Sequence, residues 1–159
     1  GIDFHLYGDK KTLDSKTRFR FNKNIKFYGY VDYNRIPSIL EKYELALMPF
    51  QNKIEARSKN LEISKYISPL KMFDYLAAGK IIIATKLKAY KHILKNNENS
   101  FLVSSKDLNA WKELIKSILK DPKKFKRIQL NAKNTAKKFT WNNRAKKFYD
   151  FIKIDQAKL

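Results

Sequence analysis

Two stretches of the chain, Leu45 to Phe50 and Ile81-Ile82-Ile83-Ala84-Thr85, are almost unbroken runs of apolar residues. A strand with one wet face alternates apolar and polar side chains, because successive residues point to opposite sides of the sheet. Runs without alternation fit strands buried on both faces, as happens when helices cover both sides of a parallel sheet. The chain is therefore expected to be α/β: a Rossmann-like parallel sheet with helices on both faces, followed by C-terminal helices. Ligands of such sheets sit at the carboxyl ends of the strands, so the loops there are where function is sought.

The remaining pattern agrees. Phe4 to Tyr7 and Ile25 to Tyr30 are rich in aromatic and β-branched residues, and each runs into a glycine, Gly8 and Gly29, which predicts two strands ending at turns. Ile36, Ile39, Leu40 and Tyr43 have the spacing of one helix face, with Asn34 as N-cap and Pro37 in the first turn. Gln51 to Ile67 is long, polar and aperiodic, the kind of loop that is usually functional or mobile. In Ser68-Pro69-Leu70-Lys71-Met72-Phe73-Asp74-Tyr75-Leu76-Ala77-Ala78-Gly79, Ser68 is expected to cap a helix, Pro69 to occupy its first position and Gly79 to end it in a left-handed conformation. A short helix around Tyr90 to Leu94, an Asn-rich turn at Asn96 to Asn99 and a strand from Phe101 to Val103 follow. Three helices close the chain. The first is capped by Asp107 and stopped at Asp121-Pro122, the second carries Phe125, Ile128, Ala132, Ala136 and Phe139, and the third runs on from Trp141 with Ala145, Phe148, Tyr149 and Ile152 on one side.

Composition narrows the partners. The 159 residues carry 35 Lys+Arg against 15 Asp+Glu, a formal charge of +20, which attracts a polyanion: nucleic acid, an anionic membrane surface or a phosphate-bearing ligand. Lysines outnumber arginines 29 to 6, whereas phosphate and base readers favour the planar Arg fork. Solvated lysines explain the same excess without any partner. No nucleic-acid motif is recognisable, so no nucleic acid is expected. The absence of cysteine excludes disulfides and thiolate metal sites and suits a reducing, cytoplasmic compartment. No apolar run approaches the ~20 residues of a membrane span. His5 and His92 are isolated, and neither an Asp-x-Asp nor a His/carboxylate cluster is present, so no metal or other cofactor is expected.

A helix opening at Ser68-Pro69 on the carboxyl edge of the sheet offers the unpaired N–H groups of Leu70 and Lys71 and the positive end of its dipole, which together make an anion site. The Lys71 ammonium adds charge. Asp74, one turn on, can accept hydrogen bonds from ribose hydroxyls. An ordinary capped helix with Asp74 on a solvated face accounts for the same residue types.

The wording of this segment goes further. Ser-Pro-Leu-Lys-Met-Phe-Asp-Tyr-Leu-Ala-Ala-Gly-Lys followed by Ile-Ile-Ile-Ala-Thr resembles the donor-binding segment of group 1 (family 4) retaining GT-B glycosyltransferases, Pro-Leu-Lys-x-Phe-Glu-Tyr-x-Ala-x-Gly-Lys-Pro-Val-Ile-Ala. Phe4 to Gly8, Ile25 to Val31, Ile36 to Met48, Asn99 to Val103 and Phe139-Thr140-Trp141 resemble further elements of the family, in the right order. The resemblance implies the C-terminal, nucleotide-sugar-binding half of a GT-B fold, a single domain over 1–159 ending in a helix over 141–159. The family's N-terminal acceptor domain, its first C-terminal strand and its Gly-Arg and Lys diphosphate clamp are missing partners on this reading. The family's two glutamates, seven residues apart, fall on Tyr66 and Asp74, so the ribose role passes to a shorter carboxylate and sugar recognition at Tyr66 loses a charge. The implied donor site comprises Gly8, Gly29, Tyr30, Val31, Arg57, Lys65, Tyr66, Ser68, Pro69, Leu70, Lys71 and Asp74, with no certain catalytic residue beyond the Tyr66 and Asp74 positions. The implied activity is sugar transfer with retention from a nucleotide diphosphate sugar to a glycan or lipid-linked acceptor of surface polysaccharide synthesis, at the inner face of the membrane. On this resemblance, 159 residues alone are expected to bind donor weakly and to transfer nothing. A basic nucleic-acid-binding α/β module and a donor domain that has lost its activity are the rival readings.

Overall fold

The computed structural model describes residues 1–9, 23–51 and 67–156, with side chains to residue 153. The chain forms two compact units that divide after Ile39. In the first, strand β1 (Phe4–Leu6) pairs in parallel with β2 (Ile25–Phe27), Phe4 lying opposite Ile25. The Asn24 side chain donates to the Ile2 carbonyl at 3.1 Å, and Lys26 pairs with Asp3 across the strands at 2.5 Å. After β2 the chain makes a 3-10 turn over Tyr33–Arg35 and enters helix α1 (Ile36–Glu41). Asn34 is therefore inside a turn and not an N-cap: the Arg35 N–H already bonds the Asp32 carbonyl at 2.9 Å, so the chain tightens before the helix opens. Pro37 lies in the first turn of α1, as its missing N–H requires.

The second unit is built on three parallel strands in the order β3 (Leu45–Met48), β4 (Ile81–Thr85), β5 (Phe101–Val103). Leu45 lies opposite Ile81 and Ile83 opposite Phe101. All five residues of β4 are buried. β3 is different: Ala46 and Met48 are buried, Leu45 and Leu47 only half-buried, and the strand ends before Pro49 and Phe50. Among the described residues it is an end strand of this sheet, paired on the β4 side.

Helix α2 (Leu70–Ala77) lays Met72 and Leu76 on the sheet. It ends as the glycine predicts. Gly79 has φ +64°, its N–H bonds the Leu76 carbonyl, and the Lys80 N–H reaches back to the Tyr75 carbonyl, the paired bonds of a Schellman stop. Between β4 and β5 there is a single 3-10 turn, Lys88–Tyr90, where a helix over Tyr90 to Leu94 was expected. The reason is Tyr90 itself: its ring is buried and its hydroxyl donates to the Thr85 carbonyl, which pulls the chain back onto the end of β4. Burial also pushes the Tyr90 phenol far above its ordinary pKa.

Helix α3 (Leu108–Lys120) starts as expected, with the Asp107 carboxylate accepting from the Ala110 N–H at 2.9 Å. Asp121 and a 3-10 turn over Pro122–Phe125 lead into α4 (Lys126–Ala136), which buries Ile128 and Ala132. In the last helix, α5 (Trp141–Gln156), every described side chain is exposed, including Trp141 at 79% and Phe148 at 67%. Among the described residues no helix is long and apolar enough to cross a membrane.

Asn99 ties the turn before β5 to α4. Its fully buried amide accepts from the Lys95 N–H at 2.7 Å and donates to the Ile93 carbonyl and the Thr135 hydroxyl, both at 2.9 Å. Asn99→Ala strands these groups in a dry interior, so it should cost about 1 to 3 kcal/mol in urea unfolding; an unchanged midpoint would mean that water replaces the amide.

Candidate functional site

The first turn of α2 is placed by the strand that follows it. Helix and strand run antiparallel through a three-residue link, so the start of α2 returns to the carboxyl end of the sheet, beside the ends of β3 and β4. Pro69, with φ −70° and ψ 117°, is still extended, and its carbonyl receives the first helical bond from Met72 at 3.0 Å. Pro69 thus holds the cap position and Ser68 stands one residue outside it, contrary to the expected Ser68 cap. The shift matters little to an anion, because the amides at Leu70 and Lys71 are still the first in the helix and have no acceptor within it. Leu70 itself is exposed.

Phe50, which leaves the end of β3, lies under the Lys71 side chain, with the ammonium 4.7 Å from the ring centre. The Thr85 hydroxyl at the end of β4 donates to the Phe50 carbonyl at 2.8 Å and fixes that residue against the sheet. Lys71 is exposed as a residue, while lost hydration lowers the pKa of its ammonium. A cation short of water at the start of a helix is poised to regain favourable interactions from an anion. Asp74 is half-buried one turn further along α2, and its charge helps burial raise the pKa of Tyr75. Phe50 and Thr85 were not singled out from the sequence. Both directly follow or end a strand on the ligand-binding edge, and that position is the signal that marks them.

In the first unit the loops after β1 and β2 meet, the Gly8 N–H donating to the Gly29 carbonyl at 2.8 Å. Gly29 has φ +76°, a conformation that favours glycine. Tyr30 is 78% exposed and Val31 half-buried. Tyr28 stacks on Tyr7 with ring centres 4.9 Å apart. The predicted residues thus fall into two groups: Gly8, Gly29, Tyr30 and Val31 on the paired loops of one unit, and Ser68, Pro69, Leu70, Lys71 and Asp74 on one helix start of the other. Arg57, Lys65 and Tyr66 lie outside the described residues, as does nearly all of the polar segment after Phe50.

The model of the family "Glycosyl transferases group 1" matches residues 2–135. No curated protein matches the sequence. Among solved structures, Alr3699/HepE from Anabaena in complex with UDP is similar over 96% of this chain and 41% of its own, with 17% identity and a TM-score of 0.73. Sucrose-phosphate synthase from Thermosynechococcus elongatus is similar over 98% of this chain and 39% of its own, with 18% identity and a TM-score of 0.74. The C-terminal domain of the group 1 protein LpcC from Francisella tularensis is 23% identical over 74% of this chain, with a TM-score of 0.56. The chain spans about two fifths of the length of the first two. The helix-flanked parallel strands thus match a Rossmann-like half of a GT-B fold.

The lowered pKa of Lys71 sets a pH dependence. A depressed lysine pKa makes the folded chain hold its proton less tightly than the unfolded chain, so without ligand this group makes stability rise with pH through the shifted pKa. Binding has the opposite sign, because an anion needs the charged ammonium. Affinity for pyrophosphate should therefore fall as pH climbs toward the lysine range, starting below the pH at which an ordinary lysine titrates, and Lys71→Met should flatten the profile. Calorimetric titration across that range checks both; an unchanged slope in Lys71→Met would remove the ammonium from the site.

Proposed function

Because the chain belongs to the group 1 glycosyl transferases, we propose that it forms the donor-binding part of an enzyme that transfers a sugar, with retention, from a nucleotide diphosphate sugar. The observation that carries this reading is the helix start of α2, where the Leu70 and Lys71 amides, the Lys71 ammonium over the Phe50 ring and the Asp74 carboxylate follow one another within two turns. Breaking the bond from sugar to phosphate leaves negative charge on the departing diphosphate. Donors already fixed at that position lower the barrier without having to reorganise. The amides and Lys71 receive the β-phosphate, and Asp74 accepts the ribose hydroxyls. This assignment needs no metal, since helix and ammonium supply the positive charge. No protein nucleophile is invoked: the acceptor hydroxyl attacks from the face the diphosphate leaves, and its proton goes to the departing phosphate oxygen.

Asp74→Ala should weaken binding of uridine or guanosine diphosphate by about 1.5 to 3 kcal/mol, the range for losing a charged hydrogen-bond partner, with the unfolding midpoint little changed. Unaltered affinity in a folded variant would reduce Asp74 to a helix-surface residue and remove the main support for the donor site.

The acceptor we propose is a glycan or lipid-linked glycan of surface polysaccharide synthesis, met at an anionic membrane. The charge of +20 and the exposure of α5 support this. Trp141, Ala145, Phe148 and Ile152 form one row along that helix, flanked by Arg144, Lys146, Lys147 and Lys153, the composition of helices that lie in a headgroup layer. The chain should sediment with phosphatidylglycerol vesicles at low salt and not with phosphatidylcholine vesicles, and a Trp141→Ser/Phe148→Ser double variant should lose most of that binding. Equal sedimentation of the double variant would leave only diffuse charge attraction.

A further inference from the structure

Pro49 has no N–H to add to the ladder with β4, so β3 stops at Met48 and the chain beyond it is held by other bonds. Two of them act on Phe50. Its N–H donates back to the Met48 carbonyl at 3.1 Å, and its carbonyl accepts from the Thr85 hydroxyl at 2.8 Å. Thr85 is itself held in place. It is the last residue of β4, is buried, and its own carbonyl accepts from the buried Tyr90 hydroxyl. Nothing in β4 as a strand asks for a hydroxyl here, since Ile81, Ile82, Ile83 and Ala84 complete it with buried apolar side chains. What the hydroxyl does is hold the residue that leaves the neighbouring strand.

The Phe50 ring lies under the Lys71 ammonium, 4.7 Å from ring centre to nitrogen. A lysine is a point charge on a flexible stem, and much of that freedom is lost when the charge meets an anion. A ring face beneath the ammonium attracts it and takes up part of that loss beforehand. The burial that lowers the Lys71 pKa fits a side chain laid against a ring. We propose that Thr85 is a positioning residue: its hydroxyl fixes Phe50, and through the Phe50 ring it sets the Lys71 ammonium at the start of α2 for an anion. Its role in donor binding rests on the proposed function, in which the start of α2 receives the diphosphate. The hold on Lys71 does not.

A double-mutant cycle with pyrophosphate as the probe tests this by calorimetry. Thr85→Val removes the hydroxyl and keeps the branched shape. It should weaken pyrophosphate binding about two- to fivefold, the size of a cation–π contact at a partly exposed site, and Thr85→Ser should restore it. In a Lys71→Met background the same Thr85→Val change should do nothing, because the group it acts through is gone. Equal weakening in both backgrounds would give Thr85 a role in stability alone and overturn the proposal. NMR supplies a readout without ligand. Protons over a ring face are shielded, so the Lys71 ε-methylene signal, identified by its loss in Lys71→Met, should lie upfield of the other lysines. It should move toward them in Thr85→Val and stay in place in Thr85→Ser; a signal unmoved in folded Thr85→Val overturns the hold on Lys71. Thr85→Ala carries the same expectations if Thr85→Val fails to fold. Weaker binding in Lys71→Met with none in Thr85→Val overturns the role of Thr85 and leaves the donor reading standing. Unchanged binding in Lys71→Met removes the phosphate seat, and the binding role of Thr85 with it.

Discussion

The burial of β4 on both faces and both edges is the constraint on which the larger unit depends. Its five residues are shut off from water, so its backbone groups must be paired on each side, and β3 and β5 supply those partners. Helices must then cover the faces, and α2 reaches its place through Ala78, Gly79 and Lys80 alone. Eight helical residues span about 12 Å and five strand residues about 16 Å, so a short link returns the start of α2 close to the far end of β4. The anion site is thus a consequence of strand burial and link length. Gly79 makes the link possible, because an added Cβ would meet the Lys133 side chain and φ is positive there.

The chemistry at that edge is set by the groups that the helix itself leaves unsatisfied. The helix presents amides that no residue within it accepts from, and Lys71 sits beside an aromatic ring with part of its hydration removed. Lys80 is buried, but its ammonium is spent on the Tyr43 carbonyl at 2.7 Å; exposed surface charge contributes little to stability or to specificity. What distinguishes Lys71 among the described lysines is its place in the first turn of α2, over the Phe50 ring. The same edge carries Phe50, whose carbonyl accepts from the Thr85 hydroxyl, and Trp111, whose indole N–H donates to the Ser104 carbonyl.

Much of this was legible in the residue order. Ile81 to Thr85 could only be a buried strand, Gly79 could only end a helix with positive φ, and Asp107 capped α3 as its position required. The order of the elements and the Pro-Leu-Lys segment marked the family, since these depend on local periodicity and on residue types at fixed spacing. Local rules failed where a distant contact took over. Tyr90 to Leu94 has helical spacing, but the bond from the Tyr90 hydroxyl to Thr85 holds the chain in a tight turn.

By itself, then, the sequence determined the parallel α/β class, the family and the helix start that carries the proposed phosphate seat, because each follows from interactions within a few residues along the chain. Only the tertiary structure decided that β3 is an end strand of its sheet among the described residues, that the apolar row of α5 faces outward, that Phe50 lies under Lys71, and that the hydroxyl of Thr85, 35 positions along the chain, holds Phe50 there. A hydrophobic pattern states that a face is apolar. Which surface meets that face, or whether any does, is set by contacts between residues far apart in the chain, and no local spacing encodes them.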